Sequence, residues 1–561
     1  MKGAALLVGS LIEHEVRYIF GLPGDTSLDF YEALYDAQGE IRHVLATDER
    51  NAAYMADAYA RITNKPGVCE GPSGGGATYI IPGLYEAHYS SLPMVAINTD
   101  IPVAGKGKAV LTEMDQVKFF EDATKWSTVV TQAGRIPEVM RNAFREATTG
   151  KPGAVHLCFP MDVLGGEAST GIKSFKHVYT TVPAARTLPS TDEVAGALKV
   201  IMESEAPFVV AGGGIHLSQA YKALEEFAVI TGSLVGTSIT GKGSIDEEHP
   251  LSVGVVGENG GSPTANVMLN DCDLVIFVGT QTGSVVTSHW QTPPDDGKRK
   301  VIQIDIDPQE IGRNYNVDCG LVGDARSVLE ALVKGLNTRM RKTAQEKERN
   351  GRLHDMVTAW KEAELSHIGV TKSVHPLTVV KTCKNLLPED VILVADAGTP
   401  TPYFASFYPS RAKRMFLSPR AFGSLGYAVP GAVGAHKGRP SSRIISLTGD
   451  GSMLVSMAEL ATLAREHIPT VVILFHNNEY GWIKVHQKYR KEQKYLSVDL
   501  PEVKYDVIAE SMGLLSYVAE TDGEFEETLK MALKTDEPTF IDAHTMKLHE
   551  IAPESLPWTV H

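Results

Sequence analysis

The sequence predicts an α/β protein made of three open parallel-sheet α/β domains. Its 561 residues suffice for about three to five domains. With 43% hydrophobic and 22% charged residues it has the composition of a chain with packed cores, which excludes a disordered or fibrous protein. Three blocks, residues 1–165, 190–335 and 370–547, each alternate short β-rich runs with helical stretches, and two polar connections separate them. That alternation is the pattern of parallel sheets covered on both faces by helices.

The first block opens with MKGAALLVGSLIEHEVRYIF, which superficially resembles a leader sequence. Glu13, His14 and Glu15 interrupt it, and Leu6, Leu7, Leu11 and Ile12 recur at helical spacing, so an amphipathic helix is expected. A strand over 16–20 ends at GLPGD (21–25) and leads into a helix. A second over 41–46 ends at TDER, which places Glu49 just beyond it and ahead of a helix over 51–62. A third over 68–71 ends at PSGGGAT, and another helix precedes a strand at 94–98. In a right-handed parallel sheet these loops all emerge at the carboxyl edge, where such sheets bind ligands.

The first connection, about 165–190, is rich in Gly, Ser, Thr and Pro. The middle block carries strand signals at 207–215, 272–284 and 300–308. Its AGGGIHLS has glycines after a strand but not the full GxGxxG spacing, and tight turns explain it more simply than a nucleotide site. The second connection, about 336–374, holds a charge-dense helical piece expected to be a solvated linker.

Lys and Arg number 53 against 68 Asp and Glu, a formal charge of −15. That balance argues against nucleic acid or an anionic membrane as a main partner. Cys69, Cys158, Cys272, Cys319 and Cys383 form no CxxC pair, so neither a disulfide framework nor a zinc site is expected. No apolar run approaches the roughly 18 residues of a membrane span. A soluble protein of the reducing cytoplasm is expected.

The third block holds the sharpest chemistry. A strand over 443–448 runs into GDGS, that is Gly449, Asp450, Gly451 and Ser452. A helix follows, its buried face marked by Met453, Leu454, Met457, Leu460, Ala461, Ala464 and Ile468. Pro469 ends it, and a buried strand over 470–475 reaches HNNEYG. In this βαβ crossover Asp450 and Asn477 should stand side by side at the ends of neighbouring parallel strands. Gly449 and Gly451 allow close backbone approach, and the helix N-terminus favours an anion. A carboxylate with an amide oxygen suits Mg²⁺, which prefers oxygen ligands shared with phosphates. A magnesium-bound diphosphate is the implied ligand.

GDGS, about two dozen residues and an Asn-containing turn together resemble the thiamine-diphosphate motif of the acetolactate synthase, pyruvate decarboxylase and benzaldehyde lyase-like superfamily. The resemblance covers nearly the whole chain and implies a pyrimidine-binding domain, a central Rossmann-like domain and a diphosphate-binding domain. It implies that Asp450 and Asn477 bind the metal through side chains and Glu479 through its backbone carbonyl, with Tyr480 and Gly481 continuing the cofactor-binding turn. Asp48-Glu49-Arg50 stands at that family's catalytic HEQ-like triplet, and PSGGGAT at its SGPGAT loop, with Gly74 kept and Gly75 replacing proline. FGSLGYAVPGAVGA resembles GTMGYGLPAAIGA. It assigns Gly423 and Ser424 to the cofactor loop and Leu425 to the apolar prop of the bent cofactor. Glu49 is then the catalytic residue, its carboxylate set against the pyrimidine ring nitrogen to promote the imino form that takes the thiazolium proton. Since the first and third domains share the site across subunits in that family, a homodimer, often paired into a homotetramer, is implied.

Several positions depart from acetolactate synthases. Thr112 (in Leu111-Thr112-Glu113) occupies the place of an active-site glutamine, and Gln116 could substitute only if the loop shifts. Trp482 stands at a pocket methionine and His486 at a specificity tryptophan; Thr399-Pro400-Thr401 replaces a QHQ stretch. Asp25, after the GLPG turn, either faces the substrate or caps a helix. GTQTGSVVTSHW replaces the flavin segment, which leaves FAD or ADP in the central domain open. The expected activity is decarboxylation and carboligation of a 2-keto acid, dependent on thiamine diphosphate and Mg²⁺. The alternatives are lysis of an acyloin or 2-hydroxyacyl-CoA, or, in a different class, a nucleotide-dependent oxidoreductase. The partners would be small 2-keto acids, hydroxy ketones or aldehydes.

Overall fold

A computed structural model describes residues 1–169, 179–336, 344–366, 368, 372–411 and 413–551, with side chains from 350 onward in the helix that begins at 344. Parts of both expected connections lie outside the described residues. Among the described residues eighteen strands form three six-stranded sheets in which every pairing is parallel.

The first sheet contains β1 (Tyr18–Gly21), β2 (Arg42–Leu45), β3 (Gly67–Gly71), β4 (Met94–Asp100), β5 (Trp126–Val129) and β6 (Ala154–Pro160), in the order β2-β1-β3-β4-β6-β5. The central sheet contains β7 (Pro207–Ala211), β8 (Leu234–Thr237), β9 (Ser252–Val255), β10 (Leu274–Val278), β11 (Lys300–Asp305) and β12 (Cys319–Val322), in the order β12-β11-β10-β7-β8-β9. The third contains β13 (Ile392–Ala395), β14 (Phe416–Leu417), β15 (Ile444–Gly449), β16 (Thr470–His476), β17 (Leu515–Ala519) and β18 (Thr539–His544), in the order β14-β13-β15-β16-β18-β17.

The first and third sheets therefore share one topology, although no repeat is visible in the sequence. The central sheet has the doubly wound order of dinucleotide-binding folds. Each sheet has a reversal of order between β1 and β3, β7 and β10, or β13 and β15, and the first and third reverse again at the far edge, at β6 and β18. The loops leaving those strand pairs diverge to opposite faces and open a crevice.

Two helices join the outer units within the chain. Helix Glu49–Thr63 is Ala-rich and buried over most of its length, and it lies against helix Ala428–Gly438. The backbones nearly touch: a Cβ on Gly434 would stand 1.9 Å from the Met55 carbonyl oxygen. Around that contact Arg61 pairs with Asp57 at 2.6 Å and Glu86 at 2.9 Å, and the Tyr427 hydroxyl donates to Asp57 at 2.5 Å. All three charged groups are buried, so they persist only as a closed network.

Two local expectations need correction. The helix after GDGS is not continuous: it runs Asp450–Ser456, tightens to a 3-10 turn at Met457–Glu459 and resumes at Leu460–Arg465. The break turns Glu459 inward to hydrogen-bond donors of the first unit, a tertiary demand invisible to periodicity. The charged helix Ala344–Ser366 is not a solvated linker. His354 bonds the Ser252 carbonyl at 2.7 Å, Val357 is buried, and Trp360 stacks on Phe407 with centroids 5.3 Å apart.

No described helix is long and apolar enough to cross a membrane. The Gly434→Ala variant is expected to lose about 1–3 kcal/mol through overpacking. Gly39→Ala, whose added carbon meets no atom within 4 Å, serves as the control in matched thermal and denaturant melts.

Candidate active site

Asp450 is the first residue of the helix after β15, and Asn477 follows directly on β16; these strands pair with each other in register from Ile444 to Gly449. The crossover thus brings the two residues together. One Asp450 oxygen, Oδ2, accepts the backbone N–H groups of Asn477 at 3.0 Å and Glu479 at 3.3 Å. The other, Oδ1, is buried without a protein partner. Burial pushes the Asp450 carboxyl up to about 6 despite those two donors. An orphaned, buried carboxylate oxygen on a turn that also carries an asparagine suits a hard divalent cation. Gly451 completes the cradle, since a Cβ there would collide with the Tyr480 ring at 2.2 Å.

The Glu479 side chain is engaged elsewhere, by Lys484 at 2.9 Å and His549 at 3.1 Å. Only its backbone is left for a ligand role. Beneath the turn His476 sits between Asp542 at 2.8 Å and the Asn478 side-chain oxygen at 3.0 Å. Asp542 outweighs burial and raises the imidazole to about 9. A positive charge therefore underlies the turn that carries Asn477.

Across the β13–β15 crevice, Asp396 at the end of β13 is fully buried and accepts the Tyr427 N–H at 2.6 Å. It thereby ties down the turn that follows Leu425. Gly423 and Gly426 adopt left-handed φ of 74° and 83°, and Leu425 is half-buried between them. Glu86 of the first unit accepts the N–H groups of Ala421 and Phe422 at 3.3 and 2.8 Å, so this loop, which continues into Ser424, is held from both sides.

In the first unit Glu49 begins helix Glu49–Thr63, and Asp48 caps it by accepting the Arg50 N–H at 2.8 Å. Glu49 is buried, and two glycines leave it room. A Cβ on Gly76 would lie 2.7 Å from its Oε1, and one on Gly71 3.3 Å from its Cγ. Burial, with smaller contributions from Asp48 and Glu70, raises its carboxyl. Gly75, by contrast, meets only the far edge of Tyr79.

The substrate-side expectations fare unevenly. Gln116 is buried, its amide donating to the Thr99 carbonyl at 2.9 Å. Thr112 is exposed, in a left-handed conformation (φ 71°) against Gly74. Its hydroxyl lies 2.7 Å from that of Ser73; Thr26 continues the chain at 3.2 Å and Thr99 closes it at 2.7 Å. Asp25 is exposed in the 3-10 turn Asp25–Ser27, and the local cap is Ser27, whose hydroxyl accepts the Gly24 N–H. The helix-cap reading of Asp25 is therefore corrected. Trp482 is half-buried, edge-on to His486 with centroids 5.3 Å apart, and burial lowers the His486 imidazole.

A cavity of about 370 Å³ lies elsewhere, at the β7–β10 switch point of the central sheet. Gly213, Gly279, Gln281, Arg414 and Arg420 are among its walls, whereas Glu49 and Asp450 are not. The glycines of AGGGIHLS have a structural reason. A Cβ on Gly212 or Gly214 would strike the Gly279 backbone at 2.2 or 2.7 Å, so two loops cross there in backbone contact.

Sequence reasoning missed Asp396, Glu459 and the fully buried Glu70, which accepts the Tyr31 hydroxyl. Only Asp396 had a local signal, an acid between a buried strand and Gly398.

Comparison with known proteins identifies relatives over nearly the whole chain. The family models for the thiamine pyrophosphate enzyme N-terminal TPP binding domain, central domain and C-terminal TPP binding domain match residues 1–119, 194–332 and 396–543. A probable acetolactate synthase large subunit of Methanocaldococcus jannaschii is 34% identical, the match covering 97% of this chain and 91% of that one. One of Methanococcus aeolicus is 32% identical over 97% and 92%. The acetolactate synthase isozyme 2 large subunit of Escherichia coli is 29% identical over 99% and 97%.

The His476–Asp542 pair predicts a pH signature in the protein without added ligands. Because the folded imidazole titrates above its unfolded value, its stabilising contribution is complete below the unfolded value and is lost as pH climbs through about 9. Carbon-13-labelled histidine NMR should find one imidazole titrating near 9 that falls toward the ordinary range in Asp542→Asn.

Proposed function

Because the chain belongs to the thiamine pyrophosphate enzymes, we propose that it decarboxylates a 2-keto acid and joins the remaining acyl unit to a second carbonyl compound, as acetolactate synthases do. The observation that carries this reading is the buried, partnerless Asp450 oxygen beside Asn477, together with Glu49 held in a glycine-lined niche. Thiamine diphosphate supplies, when bound, the nucleophilic carbon and electron sink that cleavage of a bond beside a carbonyl requires.

The protein's own residues take the remaining roles. The Asp450 and Asn477 side chains and the Glu479 carbonyl would hold Mg²⁺ on the diphosphate. Gly449, Gly451 and Ser452 let the helix N-terminus approach it, and Tyr480 and Gly481 close the turn. Gly423, Ser424 and Leu425 would form the wall that bends the cofactor. Glu49, its carboxyl raised by burial, would stand against the pyrimidine ring nitrogen and hold or pass a proton there. Thr112 and Ser73 present hydroxyls to the substrate side, with Trp482 and His486 as the opposite wall; Asp25 stands at the rim. The first unit of one copy would face the third unit of another, in a homodimer or a pair of homodimers. The five free cysteines suit a reducing cytoplasmic setting.

The relatives' names favour synthesis over the acyloin- or acyl-CoA-lyase reading. The oxidoreductase reading loses its main ground, since the central glycines serve loop packing. The central cavity, with Arg414 and Arg420 among its walls, is where FAD or ADP would sit as an accessory ligand.

The test is product analysis with pyruvate and other 2-keto acids, with and without thiamine diphosphate and Mg²⁺. Release of CO₂ with a new hydroxy keto acid is expected, and Glu49→Gln should lower turnover by roughly 10²–10⁴-fold. Aldehyde formation from an acyloin without CO₂ would move the protein to the lyases. Absence of Mg²⁺-dependent thiamine diphosphate binding would sink the proposal. Since a metal must displace the Asp450 proton, that binding should weaken as pH falls below about 6, up to about tenfold per unit.

A further inference from the structure

We propose that Glu459 is a positioning residue that fixes the Glu49 carboxyl for the pyrimidine end of the cofactor, an inference that rests on the thiamine diphosphate reading above. Glu459 closes the 3-10 turn in the helix that begins at Asp450, and it is fully buried. Its Oε1 accepts three hydrogen bonds from the first unit: the Thr47 N–H at 2.9 Å, the Thr47 hydroxyl at 2.6 Å and the Asn51 amide at 3.2 Å. Its Oε2 accepts the Thr462 hydroxyl at 2.6 Å. Glu49 lies at the centre of the stretch 47–51 that these bonds grip.

The grip is reinforced on both sides. Arg50 donates to the Val455 carbonyl at 3.1 Å, and Arg465 donates to the Leu45 carbonyl. All four donors to Glu459 are uncharged. A buried carboxylate without a cation is costly, and it is tolerated only where every lone pair that matters is satisfied in a fixed geometry. An apolar residue could pack this contact at less cost but could not orient the Thr47 N–H, which sets the entry of the chain into the helix. Asp48 constrains the same turn from within the first unit. Glu459 constrains it from the third. As the first residue of that helix, Glu49 takes its side-chain direction from the turn.

The test compares Mg²⁺-dependent binding of three ligands by calorimetry: thiamine diphosphate, its pyridyl analogue lacking the ring nitrogen that faces Glu49, and inorganic pyrophosphate. In the unmodified protein thiamine diphosphate should bind at least about tenfold more tightly than the analogue, the worth of one charge-assisted hydrogen bond. In Glu459→Ala that gap should collapse while pyrophosphate binding is unchanged. Glu459→Gln should restore most of the gap, because its amide oxygen can still accept from Thr47 and Asn51 while its NH₂ faces the Thr462 hydroxyl. Should the alanine variant fail to fold, Thr47→Val, which removes one of the bonds, should narrow the gap in part. A gap of full size in Glu459→Ala or Thr47→Val would overturn the proposal, as would an equal loss of pyrophosphate binding in either. A gap absent from the unmodified protein, or one that survives Glu49→Gln, would instead strike the assignment of Glu49 and take the proposal with it.

Discussion

The backbone contact between helix Glu49–Thr63 and helix Ala428–Gly438 is the constraint on which the rest of the structure depends. Each of these helices carries a functional loop at its N-terminus: Glu49 opens the first, and the Gly423–Gly426 turn leads into the second. Gly434 lets them approach until a methyl group would no longer fit against Met55. At so short a distance the two loops have little freedom to move independently. The Asp57–Arg61–Glu86–Tyr427 network serves the same end by another route, since Glu86 also accepts the N–H groups that hold the second loop. Charged groups this deeply buried contribute little net stability, but any slip would leave one unpaired, so they specify a single arrangement.

The three switch points explain where chemistry can and cannot lie. Every sheet opens a crevice at the carboxyl edge of its central reversal, yet the fillings differ. At β7–β10 the loops cross in backbone contact, and a cavity opens beside them whose described walls carry Asp305, Glu310 and Asp324 but neither Glu49 nor Asp450. At β1–β3 and β13–β15 the crevices hold Glu49, Glu70, Asp396 and Asp450, acids whose charge burial resists. Burial of Glu49 and Asp450, with one partnerless oxygen, points to the other two.

Much of this was legible in the sequence because local rules and the fold agree. Strand runs ending in glycine-rich turns place Glu49, Asp450 and Asn477 at carboxyl edges, and one crossover forces the last two together. What was not legible is tertiary. The apolar periodicity of residues 453–468 predicts an unbroken helix, and nothing local announces that Glu459 must turn toward Thr47 and Asn51. Gln116 follows Thr112 closely enough to suggest substitution, but only the fold reveals that the Thr99 carbonyl claims its amide. The charge-rich helix Ala344–Ser366 reads as solvated because long polar side chains can cover apolar neighbours while Val357 and Trp360 pack beneath.

The acids of the two crevices share one electrostatic condition. Burial raises Asp450 and Asp396 to about 6, and it raises Glu49 and Glu70 as well. Hydrogen-bond donors around them, the Asn477, Glu479 and Tyr427 N–H groups among others, oppose that rise without cancelling it. The one strongly raised imidazole nearby, His476, is already neutralised by Asp542. Such a cleft is under-supplied with positive charge, and each ionised acid in it carries an unrecovered desolvation cost. A ligand that brings cationic charge to both ends, a divalent metal at Asp450 and a protonated ring at Glu49, recovers that cost in the bound state. The same strain that makes these carboxyls reluctant to ionise alone therefore favours a cationic cofactor over a neutral molecule of the same shape.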